Sequence, residues 1–107
     1  MTGAAVVLSA VGTREEAERI AQALVDERLA ACVNVVPGVL SVYRWKGAVQ
    51  RGDELLLVIK TRGDAVERLR ARLVALHSYE LPEVVVLPIA GGHPPYLDWI
   101  AEGVGAG

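Results

Sequence analysis

The sequence contains a single cysteine, Cys32, and this scarcity restricts its chemistry. A lone cysteine cannot form a disulfide within the chain, and one chain cannot build a cysteine-rich metal centre from it. A reducing compartment fits this composition best, because structural disulfides belong to oxidising compartments. We therefore expect a cytoplasmic protein.

Segments typical of export or membrane insertion are also absent from the sequence. The apolar segment at residues 4–11 has no basic residue before it, so we expect no secretory signal peptide. No apolar stretch reaches the roughly 20 residues that a membrane-spanning helix needs. These observations predict that the protein has no membrane partner.

The sequence has no long run of charge of either sign. Its 11 basic and 13 acidic side chains nearly balance, and its formal net charge is −2. Nucleic-acid-binding proteins need clustered positive charge to neutralise phosphates. We therefore expect no nucleic-acid partner.

Hydrophobic residues, by contrast, make up 52% of the 107 residues. A chain of this length forms one domain with one core, but a monomer of this size leaves much of its surface exposed. We therefore predict a single domain over residues 1–107, of which residues 103–107 form a flexible tail. The apolar content exceeds what such a small monomer hides easily.

Hydrophobic periodicity predicts the element order β-α-β-β-α-β, followed by a short C-terminal helix. The predicted strands lie at 4–11, 32–45, 54–61 and 83–90, and the helices lie at 14–30, 64–77 and from 94 onward. This order defines an α+β fold of the ferredoxin-like type, in which both long helices pack on one face of a four-stranded antiparallel sheet.

Local patterns predict how these elements begin and turn. Thr13–Glu16 and Asp64–Glu67 match the capping box, in which two side chains satisfy the first free backbone N–H groups of a helix. Pro37-Gly38 predicts a bend or bulge in the second strand, because proline lacks a donor and glycine tolerates unusual dihedral angles. A long hairpin joins the second and third strands, with its turn at Lys46-Gly47 or at residues 50–53.

The third and fourth predicted strands carry apolar residues on both of their faces. The helices cover only one face of the sheet, so another copy of the chain is the simplest cover for the second face. We therefore predict an obligate homo-oligomer, with Tyr43 and Trp45 as interface anchors, because aromatic side chains with a polar tip favour interfaces. Ordinary packing of both aromatic residues within the chain is the alternative.

Four segments together resemble the CutA family of divalent-ion tolerance proteins. They are LAACVNVVPGVLSVYRWKG at 29–47, LLLVIKT at 55–61, HSYELPEVVVLPI at 77–89 and YLDWI at 96–100. The resemblance runs through nearly the whole chain, and it implies a ferredoxin-like protomer in a compact homotrimer similar in architecture to the PII signalling trimers. It also implies that the hairpin turns at Lys46-Gly47 and carries a bulge at Gly52.

Members of this family are associated with tolerance to copper and other divalent cations, and no enzymatic activity is attached to the family. The resemblance therefore implies a non-enzymatic protein that takes part in the response to metal ions. It also implies that the hallmark stretch at residues 77–83, which includes Tyr79, lies near a cleft between subunits. Lys60 and Thr61 are implied to lie near the same cleft.

The stretch at residues 77–83 holds side chains that suit divalent cations. His77 offers an imidazole nitrogen for copper, zinc or nickel, and Glu80 and Glu83 offer carboxylate oxygens. Cys32 adds a soft thiolate when it is deprotonated. The alternatives are that His77 caps the last turn of the second helix and that Cys32 is a small buried hydrophobic residue.

Copper-binding members of the family carry a cysteine at the end of the first strand and a pair of histidines before the tyrosine. This chain has Ser9 and Leu76-His77 at those positions. A hydroxyl is a poor ligand for copper. We therefore expect Cu²⁺ or another divalent cation to bind weakly near the subunit clefts.

The alternative function is a PII-like trimeric sensor or scaffold that binds a small anionic ligand or a protein partner. Lys60, Thr61 and Tyr79 are the candidate residues of its ligand cleft. A lysine that ends a strand in such a cleft is able to pair with Glu83 or to neutralise an anionic ligand. The two functions therefore differ in the charge of the ligand.

Overall fold

The computed structural model describes residues 2–105, in which helices and strands follow the predicted order. The elements are β1 (Ala4–Val11), α1 (Arg14–Asp26), β2 (Cys32–Trp45), β3 (Ala48–Arg62), α2 (Val66–Leu76), β4 (Val85–Pro88) and α3 (Pro94–Gly103), with a 3₁₀ turn at Gly63–Ala65. The paired strands run antiparallel, and the sheet order is β2-β3-β1-β4. The predicted ferredoxin-like α+β fold, with a short C-terminal helix and a long β2–β3 hairpin, is confirmed.

Helix α1 begins as predicted, but only half of its capping box forms. Thr13 Oγ1 accepts a hydrogen bond from the N–H of Glu16 at 3.2 Å. The Glu16 carboxylate accepts hydrogen bonds from Ser78 instead of closing the box locally. The second predicted cap is wrong, because Asp64 lies in the 3₁₀ turn and pairs with Arg62 at 2.8 Å, and α2 starts without a side-chain cap.

Helix α1 ends at Asp26, short of the predicted end at residue 30. Arg28 has a φ of 59°, in the left-handed region, so the chain leaves the helix at this point. The N–H groups of Leu29 and Ala30 then both donate to the carbonyl of Leu24, at 2.9 and 3.2 Å. The apolar pattern continues past the true end of the helix, and for that reason periodicity overestimates its length.

The long hairpin turns at Lys46-Gly47, as the resemblance implies. Both turn residues have positive φ, 50° and 82°, which a tight two-residue hairpin turn requires. The strand pairing shifts by one residue at Pro37-Gly38, where Gly38 has a φ of 76°, and the predicted irregularity there is confirmed. The predicted bulge at Gly52 is wrong, because Gly52 pairs in regular register with Ser41.

The end of helix α3 packs onto the body of the protein. Gly103 is its last residue, and Val104 is only 3% exposed. The N–H of Gly105 donates to the carbonyl of Arg28 at 2.8 Å. Of the predicted flexible tail, residues 103–105 therefore pack against the body of the protein, while residues 106–107 lie outside the described residues.

Helices α1 and α2 and one face of the sheet form the core. The largest fully buried side chains of this core are Val7, Val11, Leu57 and Ile59 from the sheet and Ile20, Leu24, Leu69 and Leu73 from the helices. Their burial is the main contribution to stability. Among residues 2–105 no helix is long and apolar enough to cross a membrane, and α1 and α2 instead bury one apolar face each in this core.

The opposite face of the sheet, hereafter the open sheet face, is largely uncovered in the single chain. Two rows of paired residues cross it, Leu87-Val6-Lys60-Cys32 and Val85-Leu8-Val58-Asn34. Strand β4, which is shorter than the predicted 83–90, forms one edge, and its Val85 and Leu87 are 45% and 47% exposed. The open sheet face thus presents the second apolar surface that the strand pattern predicts.

Candidate functional site

His77 lies at the end of α2 with its side chain fully buried, and both of its ring nitrogens have partners. The backbone N–H of Tyr79 donates to Nδ1 at 3.1 Å, so Nδ1 carries no proton. Nε2 is 2.8 Å from the carbonyl of Ala10 and is therefore the protonated donor in that contact. No ring lone pair remains for a metal ion, which contradicts the predicted role of His77 as a metal ligand. The alternative, that His77 ends the helix, agrees with the structure.

Glu16 anchors the loop that follows His77 to the start of α1. Its carboxylate accepts hydrogen bonds from Ser78, at 2.7 Å from the backbone N–H and at 3.0 Å from Oγ. Glu16 Oε2 is also 3.7 Å from His77 Nδ1, but that nitrogen is an acceptor, so the contact is not an ion pair. A 7% exposed carboxylate with two donors resists displacement, because leaving it unpaired carries a large desolvation cost. The loop is therefore held in a defined position.

Tyr79 links the same loop to strand β3. Its hydroxyl donates to Glu54 Oε2 at 2.7 Å, and its ring centroid is 4.6 Å from that of His77. Burial, followed by the hydrogen bond to the Glu54 carboxylate, raises the pKa of Tyr79 far above its ordinary value. Tyr79 therefore remains protonated and acts as a hydrogen-bond donor to Glu54.

Gly12 makes room for the Tyr79 hydroxyl at the end of β1. A Cβ on Gly12 would lie 3.1 Å from the Tyr79 oxygen, closer than most contacts of real side chains. We expect Gly12→Ala to push the hydroxyl away from Glu54 and to lower the free energy of unfolding by about 1 kcal/mol. Urea denaturation measures this effect. Gly91→Ala is the control, since a Cβ there meets nothing within 4 Å, and an equal loss in both variants would contradict the prediction.

The remaining predicted metal ligands do not converge on His77. Glu80 and Glu83 are exposed, and the Glu80 carboxylate lies 4.0 Å from Lys46 Nζ. Cys32 is half-buried on the open sheet face, with its Sγ 3.9 Å from the side-chain oxygen of Asn34. Among residues 2–105, no three or more histidine, cysteine, aspartate or glutamate side chains are grouped so as to hold a metal ion. The four predicted ligands therefore do not form one site within a single chain.

Lys60 and Thr61 lie on opposite faces of β3, because neighbouring residues of a strand alternate. Lys60 Nζ donates to the Tyr96 hydroxyl at 3.3 Å. Thr61 is fully buried on the helix side, and its hydroxyl donates to the carbonyl of Leu29 at 2.7 Å. The prediction of Thr61 as a ligand-cleft residue is therefore wrong.

Lys60 and Tyr79 also lie apart within one chain. Tyr79 binds Glu54, six residues before Lys60 on β3, which corresponds to roughly 20 Å of extended strand. Lys60 instead lies beside the aromatic pair of Tyr96 and Trp99, whose rings stack at 5.5 Å. The predicted ligand cleft is thus not assembled by the single protomer.

Tyr43 and Trp45 face the loop after α2. Together with Ser78, Tyr79 and Leu81 they line a cleft of about 530 Å³ between the hairpin and this loop. Tyr43 is 47% exposed and Trp45 is half-buried. Both aromatic residues therefore border an open cleft of their own chain, and both their role at a subunit interface and ordinary packing within the chain stay predictions.

Sequence reasoning missed three residues that build this region: Gly12, Glu16 and Glu54. Glu16 is recognisable in the sequence only as part of a capping box. Gly12 and Glu54 carry no signal beyond their places near the ends of predicted strands. Their roles depend on contacts with Ser78 and Tyr79, which only the folded chain brings near.

The fold and this region define a small ferredoxin-like protein with an extended hairpin, an open sheet face and an anchored loop after its second long helix. Comparison with known proteins narrows this class. The sequence matches the profile of a family described as CutA1 divalent ion tolerance protein over residues 5–103. The chain therefore belongs to the CutA1 family.

Individual relatives agree with this assignment. Over 100 residues the chain is 55% identical to the divalent-cation tolerance protein CutA of Thermus thermophilus, covering 94% of this chain and 97% of that protein. It is 50% identical over 95 residues to the chloroplastic protein CutA of Arabidopsis thaliana; the match covers 89% of this chain and 52% of that protein. None of these names carries an enzymatic activity.

Solved structures resemble the whole chain. The divalent cation tolerance protein Cut A1 from Thermus thermophilus has a TM-score of 0.93 at 54% identity, covering 95% of this chain and 99% of its own. CutA1 from Oryza sativa has a TM-score of 0.94 at 42% identity, and the match covers 100% of both chains. The fold is therefore that of known CutA1 proteins.

Proposed function

We propose that this protein acts in tolerance to divalent cations as a cytoplasmic, non-enzymatic homotrimer. The observation that carries the proposal is membership of the divalent ion tolerance family over residues 5–103. The Thermus thermophilus relative, which the chain matches along almost its whole length, bears the name of a divalent-cation tolerance protein.

The open sheet face supports self-association. It is apolar along β4 and the neighbouring strands. The hairpin separately exposes Leu40, Val42 and Val49, which are 54%, 58% and 62% exposed and lie on the other face of its ladder. Exposed apolar area of this extent is unusual in a soluble monomer. Identical copies are the simplest partners, because closed symmetric assemblies bury the same surface on every subunit.

The cation itself is proposed to bind weakly, through carboxylates near the subunit clefts. Glu80 and Glu83 are exposed and present oxygen ligands, whereas the ring nitrogens of His77 are occupied within the chain. Cu²⁺ prefers nitrogen and sulfur ligands, so an oxygen-rich site binds it loosely and discriminates little among divalent ions. Cys32 on the open sheet face is a further candidate ligand if assembly brings it near such a site.

Sedimentation velocity and titration calorimetry test the proposal together. We expect the metal-free protein to sediment at about three times the 11.4 kDa protomer mass, and copper, zinc and cadmium to give weak heats. Glu80→Gln with Glu83→Gln should reduce those heats, while Glu67→Gln with Glu102→Gln, which changes the net charge equally, should not. A monomer that assembles only with copper, or calorimetry without heat for any of the three ions, would count against it.

A second candidate function is a PII-like sensor that binds a small anionic ligand. The cleft between the hairpin and the loop after α2 favours it, because that cleft is a formed concave surface, with Lys46 near its border at 4.0 Å from Glu80. It differs from the cation-tolerance role in the charge of the ligand and in the residues that would hold it.

A further inference from the structure

The two ring nitrogens of His77 have different roles, and only one of them is able to gain a further proton. Nε2 carries a proton and donates to the carbonyl of Ala10 at 2.8 Å. Nδ1 carries none and accepts from the backbone N–H of Tyr79 at 3.1 Å. Imidazole ordinarily gains its second proton between about pH 5 and 8, and in this ring that proton has to be added at Nδ1. Protonation therefore changes the contact with Tyr79 and leaves the contact with Ala10 as it is.

A buried carboxylate lies close enough to accept a hydrogen bond from the protonated ring. Glu16 Oε2 is 3.7 Å from Nδ1, which is about 1 Å longer than a hydrogen bond between charged groups. Glu16 already accepts twice from Ser78, but a carboxylate has about four acceptor positions, so a third donor fits without displacing these bonds. A shift of about 1 Å in the ring or the carboxylate therefore gives both N–H groups of an imidazolium a partner.

The other charged or polar groups that face the ring have smaller effects on its charge. Arg19 of α1 lies 4.0 Å from Glu16 Oε2, but its side chain is 53% exposed, so water screens it. Tyr79 packs on the ring at 4.6 Å and stays neutral, with its hydroxyl bound to Glu54 of β3. Strand β1 contributes the carbonyl of Ala10, and α2 contributes the carbonyl groups of its C-terminal turn, which favour a cation. Burial opposes a charge on the ring, and the Glu16 carboxylate is the main group that offsets it.

Protonation at Nδ1 removes one of the hydrogen bonds that hold the loop after α2. The N–H of Tyr79 then faces another N–H, and two donors repel each other. Ser78 stays bound to Glu16, so the residues from Tyr79 onward are the part of the loop that moves. Tyr79 and Leu81 line the cleft opposite Trp45 of the hairpin, so their displacement changes the shape of that cleft.

We propose that His77 is a pH-sensitive switch that couples its own protonation to the position of residues 79–81. When the ring is neutral, Nδ1 holds the N–H of Tyr79 and the loop lies as described above. When the ring is protonated, Nδ1 donates to Glu16 and the loop shifts relative to the hairpin. The switch goes beyond the proposed cation-tolerance role and does not depend on it.

A pH titration with two signals tests this coupling. The nitrogen chemical shifts of the imidazole rings in the full-length, nitrogen-15-labelled protein with EDTA follow His77, and the exposed His93 is the internal reference. The chain has two tryptophans, so in a Trp99→Phe background the fluorescence of Trp45 follows the cleft. We expect neutral His77 to carry its proton on Nε2, and we expect Nδ1 to gain a proton over the same pH range in which the Trp45 emission changes.

Glutamine variants separate Glu16 from the other carboxylates. Glu16→Gln keeps an acceptor for Ser78 but removes the charge near Nδ1, so we expect the midpoint of both signals to fall by about one pH unit. Glu15→Gln makes the same change in net charge at the neighbouring, exposed position and should leave both midpoints unchanged. Glu54→Gln gives Tyr79 an acceptor that does not titrate, and the transition should persist in it.

Three results would overturn the inference. They are a His77 ring that stays neutral until the protein unfolds, a ring that gains its proton while the Trp45 emission stays constant, and equal shifts of the midpoints in Glu15→Gln and Glu16→Gln. Loss of the Trp45 transition in Glu54→Gln would also count against it, because the titrating group would then be Glu54. If Glu16→Gln does not fold, the comparison of the two signals in the Trp99→Phe protein still decides whether protonation and loop movement are coupled.

Discussion

Replacement of His77 by alanine is expected to lower the free energy of unfolding by about 3 kcal/mol while leaving the affinity for copper unchanged. The imidazole forms hydrogen bonds with the carbonyl of Ala10 and the N–H of Tyr79, and it is fully buried. Removing it leaves both backbone groups without a partner and opens a cavity between α2 and the end of β1. Urea denaturation measures the stability, and titration calorimetry with Cu²⁺ measures the affinity.

His93→Ala is the matched control for this change. His93 is the other histidine of the sequence, it is exposed, and its side chain makes no capping hydrogen bond at the start of α3. We expect it to change the free energy of unfolding by less than about 0.5 kcal/mol. A His77 variant that kept its stability but lost copper binding would restore the metal-ligand role that the present geometry argues against.

The two interpretations of His77 illustrate what a sequence reveals about a site. Residue type alone predicts that imidazole and carboxylate groups suit a cation, and it predicts equally that a histidine ends a helix. The decision depends on the carbonyl of Ala10, which is 67 residues away in the sequence. No local pattern contains that contact, so the sequence leaves both interpretations open.

The partner of the Glu16 carboxylate is a second contact that the local sequence does not predict. The capping pattern at Thr13–Glu16 predicts a local bond for the carboxylate, and half of that pattern forms. The carboxylate itself binds Ser78, 62 residues away, because two strong donors in a buried position outweigh one return contact at a helix end. Local rules predicted where the helix begins but not what the glutamate binds.

Strand alternation, by contrast, was sufficient to reject one candidate from the sequence. Lys60 and Thr61 are adjacent in a predicted strand, so their side chains must face opposite sides of the sheet. The side chains of Lys60 and Thr61 therefore cannot line the same cleft. The structure places Thr61 in the core. The same periodicity predicted the fold correctly, because alternating and helical apolar patterns are strong in β1, β3, α1 and α2.

Val85→Asp is expected to dissociate the proposed trimer into protomers. Val85 is 45% exposed in the single chain and pairs with Leu8 on the open sheet face. In an assembly that covers this face, the carboxylate would be taken from water into an apolar contact, which costs several kcal/mol for each subunit. Sedimentation velocity should then show the 11.4 kDa protomer, and the melting temperature should fall and lose its dependence on protein concentration.

Val86→Asp separates this effect from the mere introduction of a charge on β4. Val86 is next in the strand and similarly exposed, at 42%, but it pairs with Val7 and faces the helix side, where it lines a cavity with Gly3 and Val66. A trimer formed through the open sheet face should survive this substitution. If both variants dissociate, the subunit contact lies at the edge of β4 rather than on its open face. If both variants remain trimeric, the subunit contact does not involve β4 and lies at the hairpin instead. The pair of neighbouring valines therefore locates the interface as well as testing for its existence, because strand geometry turns their side chains in opposite directions.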